Sequence, residues 1–250
     1  MTALAARWTA ARFRMQIRNP RAAVFTVLFP LIMLVLFSAL YGNSDVDAYG
    51  HKVRYAQFYA PSIAIFSLVT ACYTTLVVAL ANARDQGLLK RVRGTPLPMG
   101  LYLAAWVAGA AGTGLFAVLL LFAVAVPAFG VDVDPAMLPA ALLTLLLGAA
   151  CLSALGVAVA AVVKDADQAL PVAQITFLPV SLISGIWFPL DGAPDWLVTV
   201  AHVFPVAHIV EAFGGCFTPG RTFDLADLAV VALWTAAAVL VAVRRFRWEP

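Results

Sequence analysis

Long runs without a charged side chain alternate with short segments where nearly every ionisable residue is gathered. A helix needs roughly 20 apolar residues to cross the hydrocarbon of a bilayer, and only a helix or a closed barrel satisfies its own backbone there. Six runs are long enough, and they predict spans over 22–41, 58–82, 100–127, 136–163, 168–190 and 224–243. The runs lack the polar–apolar alternation of barrel strands. The expected fold class is therefore an all-α membrane protein of six transmembrane helices forming a single domain. Pro30 and Pro179 each remove a backbone hydrogen bond inside a run, so bends are expected at both.

One apolar stretch fits no span. Trp196 to Val210 is broken by Pro205, carries His202 and His208, and is followed by Glu211 and the pair Gly214-Gly215. It reads as two half-helices within an outer re-entrant region, 191–222, that dip into the membrane and return where protein buries the turn. His208 and Glu211 are three apart and share a helix face, which suits a metal or a proton switch. Pro205 lies between the two histidines and argues against one geometry for all three.

Charge sets the direction of the chain. Only 12% of residues are charged and 63% are hydrophobic, against roughly 25% charged in soluble domains. Thirteen of the sixteen basic residues flank one set of span ends, Lys52, Arg54 and Arg221 flank the other, and nine of the thirteen acidic residues accompany those three. The positive-inside rule then puts both termini in the cytoplasm. A seventh span would carry the arginines after Val243 outside. A net charge of +3 distributed this way describes topology and does not point to nucleic acid.

The apolar run after the first 21 residues reads as an uncleaved anchor, and those 21 residues as an amphipathic helix along the inner membrane surface, with packing on protein as the alternative because Phe13 and Ile17 fall on another side. Leu4, Trp8, Ala11 and Met15 share one stripe, and Arg7, Arg14, Arg18 and Arg21 occupy the neighbouring arc, facing membrane lipids.

Candidate chemistry is sparse. No ionisable group interrupts the apolar cores of the runs, which counts against proton-coupled transport, and no Ser-His, paired-Asp or HExxH arrangement suggests an intramembrane protease. Ser62, Ser67, Thr70, Thr74 and Thr75 read as interhelical packing, as does the row Ala150, Ala154, Ala158 with Ser153 and Gly156. Cys72, Cys151 and Cys216 have no metal-ligand spacing and read as small packing residues.

The most informative segment is the cytoplasmic loop 83–98, ARDQGLLKRVRGTPLP. Arg84, Lys90, Arg91 and Arg93 surround an apolar rib of Leu88, Leu89 and Val92, and Pro96 and Pro98 stop the helix. A rib with charged flanks suits docking on another protein. The loop resembles the signature of the type-2 ATP-binding-cassette export permeases through Arg84, Asp85, Gly87, Leu89, Lys90, Arg91, Thr95, Pro96 and Leu97. Arg18-Asn19-Pro20, Ser184-Gly185, Phe188-Pro189, Pro194-Trp196 and Pro205 add to the likeness. Asp85 stands where that family usually has Glu, and Leu88 where it often has Thr.

The resemblance implies a coupling helix over Arg84 to Pro96 docked on an ABC ATPase subunit, and a connecting helix that includes Arg7, Trp8, Arg14 and Arg18. It further implies an exit gate containing Phe188, Pro189, Pro205, His208 and Glu211. ATP and Mg would be held by the partner ATPase and no cofactor by this chain, which has no GxxxxGK[ST] loop. A second permease copy or paralogue would complete the pathway, in a bacterial-type cell membrane. The cargo expected is a hydrophobic or amphipathic drug, lipid or glycoconjugate. Two alternatives remain beside it: a lipid-modifying membrane enzyme using His208 and Glu211 as acid and base, and a non-transporting anchor or sensor subunit.

Overall fold

The computed structural model describes residues 24–42, 44–88, 99–221 and 224–245. The first 23 residues and residues 89–98 lie outside them, and with them Arg7, Trp8, Arg14, Arg18, Leu89, Lys90, Arg91, Arg93, Thr95 and Pro96.

Among the described residues six helices are long and apolar enough to cross a membrane: Val24–Tyr41, Tyr55–Asp85, Met99–Phe129, Pro135–Ala160, Ala166–Ile183 and Leu225–Arg245. They are called the first to sixth spans. A bent pair, Asp195–Ala201 and Pro205–Gly215, turns through 96° between the fifth and sixth. The two are the first and second half-helices, as the proline-broken apolar stretch predicts.

The second span is the axis of the bundle. From Ala56 to Tyr73 every residue is buried, and the first, third, fourth and fifth spans and the second half-helix all pack on it. Small residues make that packing close. A Cβ on Gly156 of the fourth span would stand 3.1 Å from the Cys72 carbonyl oxygen, and one on Gly114 of the third 2.8 Å from Leu68 Cδ1. Ala154, Ala158 and Ser153 are buried along the same face of the fourth span, whereas Ala150, from the same predicted row, is exposed. Ser62 and Thr70 bond back to carbonyls one turn earlier, at 2.9 Å each, so these hydroxyls are satisfied within their own helix. A π-turn interrupts the second span at Thr70–Thr74.

The structure departs from the expected pattern in two places. The fifth span ends at Ile183, short of Leu190, because Gly185 takes a left-handed backbone (φ +78°) and residues 184–190 form turns. The other is an unforeseen β-hairpin, Asp45–Ala48 paired with His51–Arg54, between the first and second spans. Its register sets Asp45 against Arg54 and Asp47 against Lys52, with Val46 facing Val53. Opposite charges across the ladder and one apolar pair are favourable cross-strand neighbours.

Candidate functional site

The two ends of the bundle carry different chemistry. At the end where the second span runs into the 83–98 loop, Gly87 (φ +67°) closes the helix, donating its amide to the Arg84 carbonyl at 2.9 Å. The Arg84 side chain then turns inward. Its guanidinium donates to the Ala160 carbonyl at 3.2 Å and the Val163 carbonyl at 2.5 Å, at the end of the fourth span. Asp85 accepts the Ala166 amide at 2.6 Å, and Asp165 the Gln168 amide at 2.9 Å. Two carboxylates thus cap the amino end of the fifth span, where the helix dipole favours negative charge.

Arg84 and Asp85 therefore staple one loop to the next, joining the second span to the turn that begins the fifth. The shorter Asp85 reaches its partner without difficulty. Leu88 is half-exposed beyond the staple.

The other end is held by side chains the sequence reading passed over. Gln57, 5% exposed, donates to the Asp132 carbonyl at 2.8 Å and the Phe217 carbonyl at 2.6 Å, and accepts the Asp132 amide at 2.8 Å. One amide group thus joins the second span, the loop after the third and the end of the second half-helix. Arg54 reinforces it through the Gly130 carbonyl at 2.5 Å.

The hairpin tip is equally anchored. Tyr49 and Gly50 both have positive φ, +57° and +73°, as a two-residue turn of the right twist demands. Their amides converge on the Asp191 carboxylate at 2.8 and 2.9 Å. The Tyr49 ring lies so close to Gly214 that any Cβ there would overlap the phenol, and Arg221 covers the ring at 5.3 Å. Burial raises the Tyr49 pKa above its ordinary value.

Beside the tip lies a cavity of about 250 Å³ whose polar wall includes Tyr49, Asp191, His202, Glu211 and Arg221. His202 Nε2 meets Glu211 at 2.9 Å and its Nδ1 the Val198 carbonyl at 2.8 Å. His208 Nδ1 meets Asp227 of the sixth span at 2.8 Å, and its Nε2 the His202 carbonyl at 2.9 Å. The two imidazoles are 5.2 Å apart. Pro205 does not separate the histidines: the bend it begins folds them together, correcting the expectation of three groups without a common geometry.

The expected gate residues divide. Pro189 and Glu211 line this cavity, Phe188 is exposed beyond it, and His208 is buried behind it. Pro205 lines a second, apolar cavity of about 190 Å³ among the second, fourth, fifth and sixth spans. Tyr73 and Thr176 bond there at 2.5 Å. Among the described residues no group of three or more His, Cys, Asp or Glu could hold a metal ion, and all three cysteines are buried.

Residues 7–217 match the family described as ABC-2 type transporter. The chain belongs to that family. The inner membrane transport permease YadH of Escherichia coli (strain K12) is 25% identical over 198 residues, covering 78% of this chain and 77% of that protein. The daunorubicin resistance ABC transporter permease protein DrrB1 of Streptomyces coeruleorubidus is 24% identical over 200 residues, covering 77% and 67%. The chain is accordingly a multi-pass inner-membrane permease, a transporter subunit and not a lipid-modifying enzyme. Its family membership implies a partnership with an ABC ATPase subunit.

Proposed function

We propose that this chain is the membrane half of an ATP-driven exporter, with the 83–98 loop docked on the ATPase in the cytoplasm and the hairpin end facing outward. The Arg84–Asp85 staple carries the reading. A push on the loop reaches the fourth and fifth spans at once, because one residue pair bonds to both sides of the turn that joins them. ATP binding with Mg on the partner closes two ATPase subunits, the loops move, and two permease copies rock to open the outer end. The thirteen basic residues on the loop side support this orientation.

A hydrophobic or amphipathic cargo suits the apolar cavity and the charge-free spans. The relative named for daunorubicin resistance supports a drug-like one. Exposed apolar side chains on the first span, among them Phe25, Ile32 and Leu40, and on the fifth, Leu170, Ile175 and Leu182, offer surface to lipid and to a second copy.

Arg91→Glu combined with Leu89→Asp tests the docking assignment. The double variant is expected to insert in the membrane at the normal level and to lose most of its ATPase on co-purification. Undiminished co-purification would sink the assignment.

A further inference from the structure

Each of the two histidines at the hairpin end has both ring nitrogens against acceptors. Val198 and His202 offer backbone carbonyls, Glu211 and Asp227 carboxylates. A carbonyl accepts and never donates, so the ring nitrogen facing it must carry a hydrogen. The other nitrogen then shares a second proton with the carboxylate. Either pair satisfies all its bonds only with two protons, and the imidazolium–carboxylate form does so. Asp227 lies in the first turn of the sixth span, the end of a helix that favours a carboxylate.

The pairs are chained across the break in the re-entrant segment. His202 closes the first half-helix, its own carbonyl receives the His208 proton from the second, and His208 is tied in turn to the sixth span. Trp234 of the sixth span donates to the Val203 carbonyl at 3.1 Å, inside the same break. His208 and Asp227 are buried, but the His202 and Glu211 side chains keep 33% and 22% of their surface and open on the outer cavity. Protons therefore reach His202 from that cavity, while the deeper pair stays shielded.

We propose that His202 with Glu211 is a proton-operated latch that pins the first half-helix to the second, which His208 ties to Asp227 of the sixth span, and that it frees the break at Val203 to move off Trp234 when His202 loses its proton to the outer side. This rests on the outward orientation proposed above. Burial alone would lower the His202 affinity for protons; the Val198 carbonyl and the Glu211 carboxylate outweigh it, and the net displacement is upward. A raised pKa in the latched state means that the latch is fully stabilising below the ordinary histidine value of about 6.5 and is lost as pH rises through the elevated one.

The carboxylates around His202 agree with this sign, and the Arg221 guanidinium opposes it. Glu211 and Asp227 favour its protonated form, His208 is already paired with Asp227, and Tyr49, Asp191 and Arg221 stand across the cavity. The fifth span, packed beside the first half-helix, has no ionisable side chain from Gln168 to Ile183.

A bimane fluorophore on Val203→Cys, in the full chain reconstituted in lipid nanodiscs, is quenched by Trp234 on contact and so reports the latch. Fluorescence is expected to rise at least about twofold between pH 6 and pH 9 in otherwise unchanged protein, with the rise abolished by Trp234→Phe. His202→Gln should be bright at every pH. Glu211→Gln, which leaves the titrating ring in place, should move the midpoint down by about one pH unit. A signal flat with pH, or a midpoint unmoved by either substitution, overturns the latch. The measurement needs no ATPase, so it fails or succeeds independently of the coupling reading, which the co-purification above decides.

Discussion

Gln57 shows how much one side chain holds at the hairpin end. Its three bonds reach segments far apart in sequence, and its own side chain is buried. Leucine at this position would fill the space and leave two carbonyls and one amide unpaired, each costing about 1–3 kcal/mol when buried. Gln57→Leu is therefore expected to lower stability by roughly 2–4 kcal/mol after local relaxation, read as a depressed unfolding temperature in detergent. A shift no larger than that of an exposed substitution such as Leu233→Ala would contradict the clamp. Nothing in the sequence marks this glutamine, because its partners are backbone groups of loops. Tyr49 is similar: its positive φ and its fit against Gly214 are invisible until the hairpin is docked.

At the scale of elements, the staple between the second and fifth spans is the feature most open to test. Removing one capping carboxylate from a helix start costs typically about 1 kcal/mol, too little to unfold a bundle of six spans. Asp85→Asn is therefore expected to leave insertion and ATPase binding intact, while drug-stimulated ATP hydrolysis and transport part company: hydrolysis continues and transport falls severalfold. Equal loss of both, or of neither, would show that the loop drives the spans by another route. Helical elements were legible because apolar length is a property of the run itself. The hairpin was not, since four-residue strands with charges on one face and a single valine each look like any polar loop until their register pairs them. The fifth span was overextended for a related reason: residues 184–190 are apolar, but Gly185 and the turns after it are shaped by packing against the half-helices.

For the whole molecule, an even number of crossings returns the chain to the side from which it started. A membrane-impermeant reagent is accordingly expected to label Thr199→Cys from outside intact cells, and to reach a cysteine near the carboxyl tail only after the membrane is opened. The reverse pattern would invert the proposed orientation. Fold class, span number and the bent pair follow from the chain alone, because the lack of water in a bilayer leaves the backbone so few solutions. Family membership was also readable, through the residues around Arg84 and those after the fifth span.

What only tertiary structure decided is which polar groups meet. Arg84 and Asp85 look like docking residues in sequence and turn out to bind their own chain. His202, His208, Glu211 and Asp227 lie in three separate helices and converge because a proline-started helix bends back by 96° and packs on the sixth span. Hydrophobic patterning is a sum over many residues and survives without coordinates. A hydrogen bond depends on a few tenths of an ångström between distant segments, and only the packed bundle supplies that.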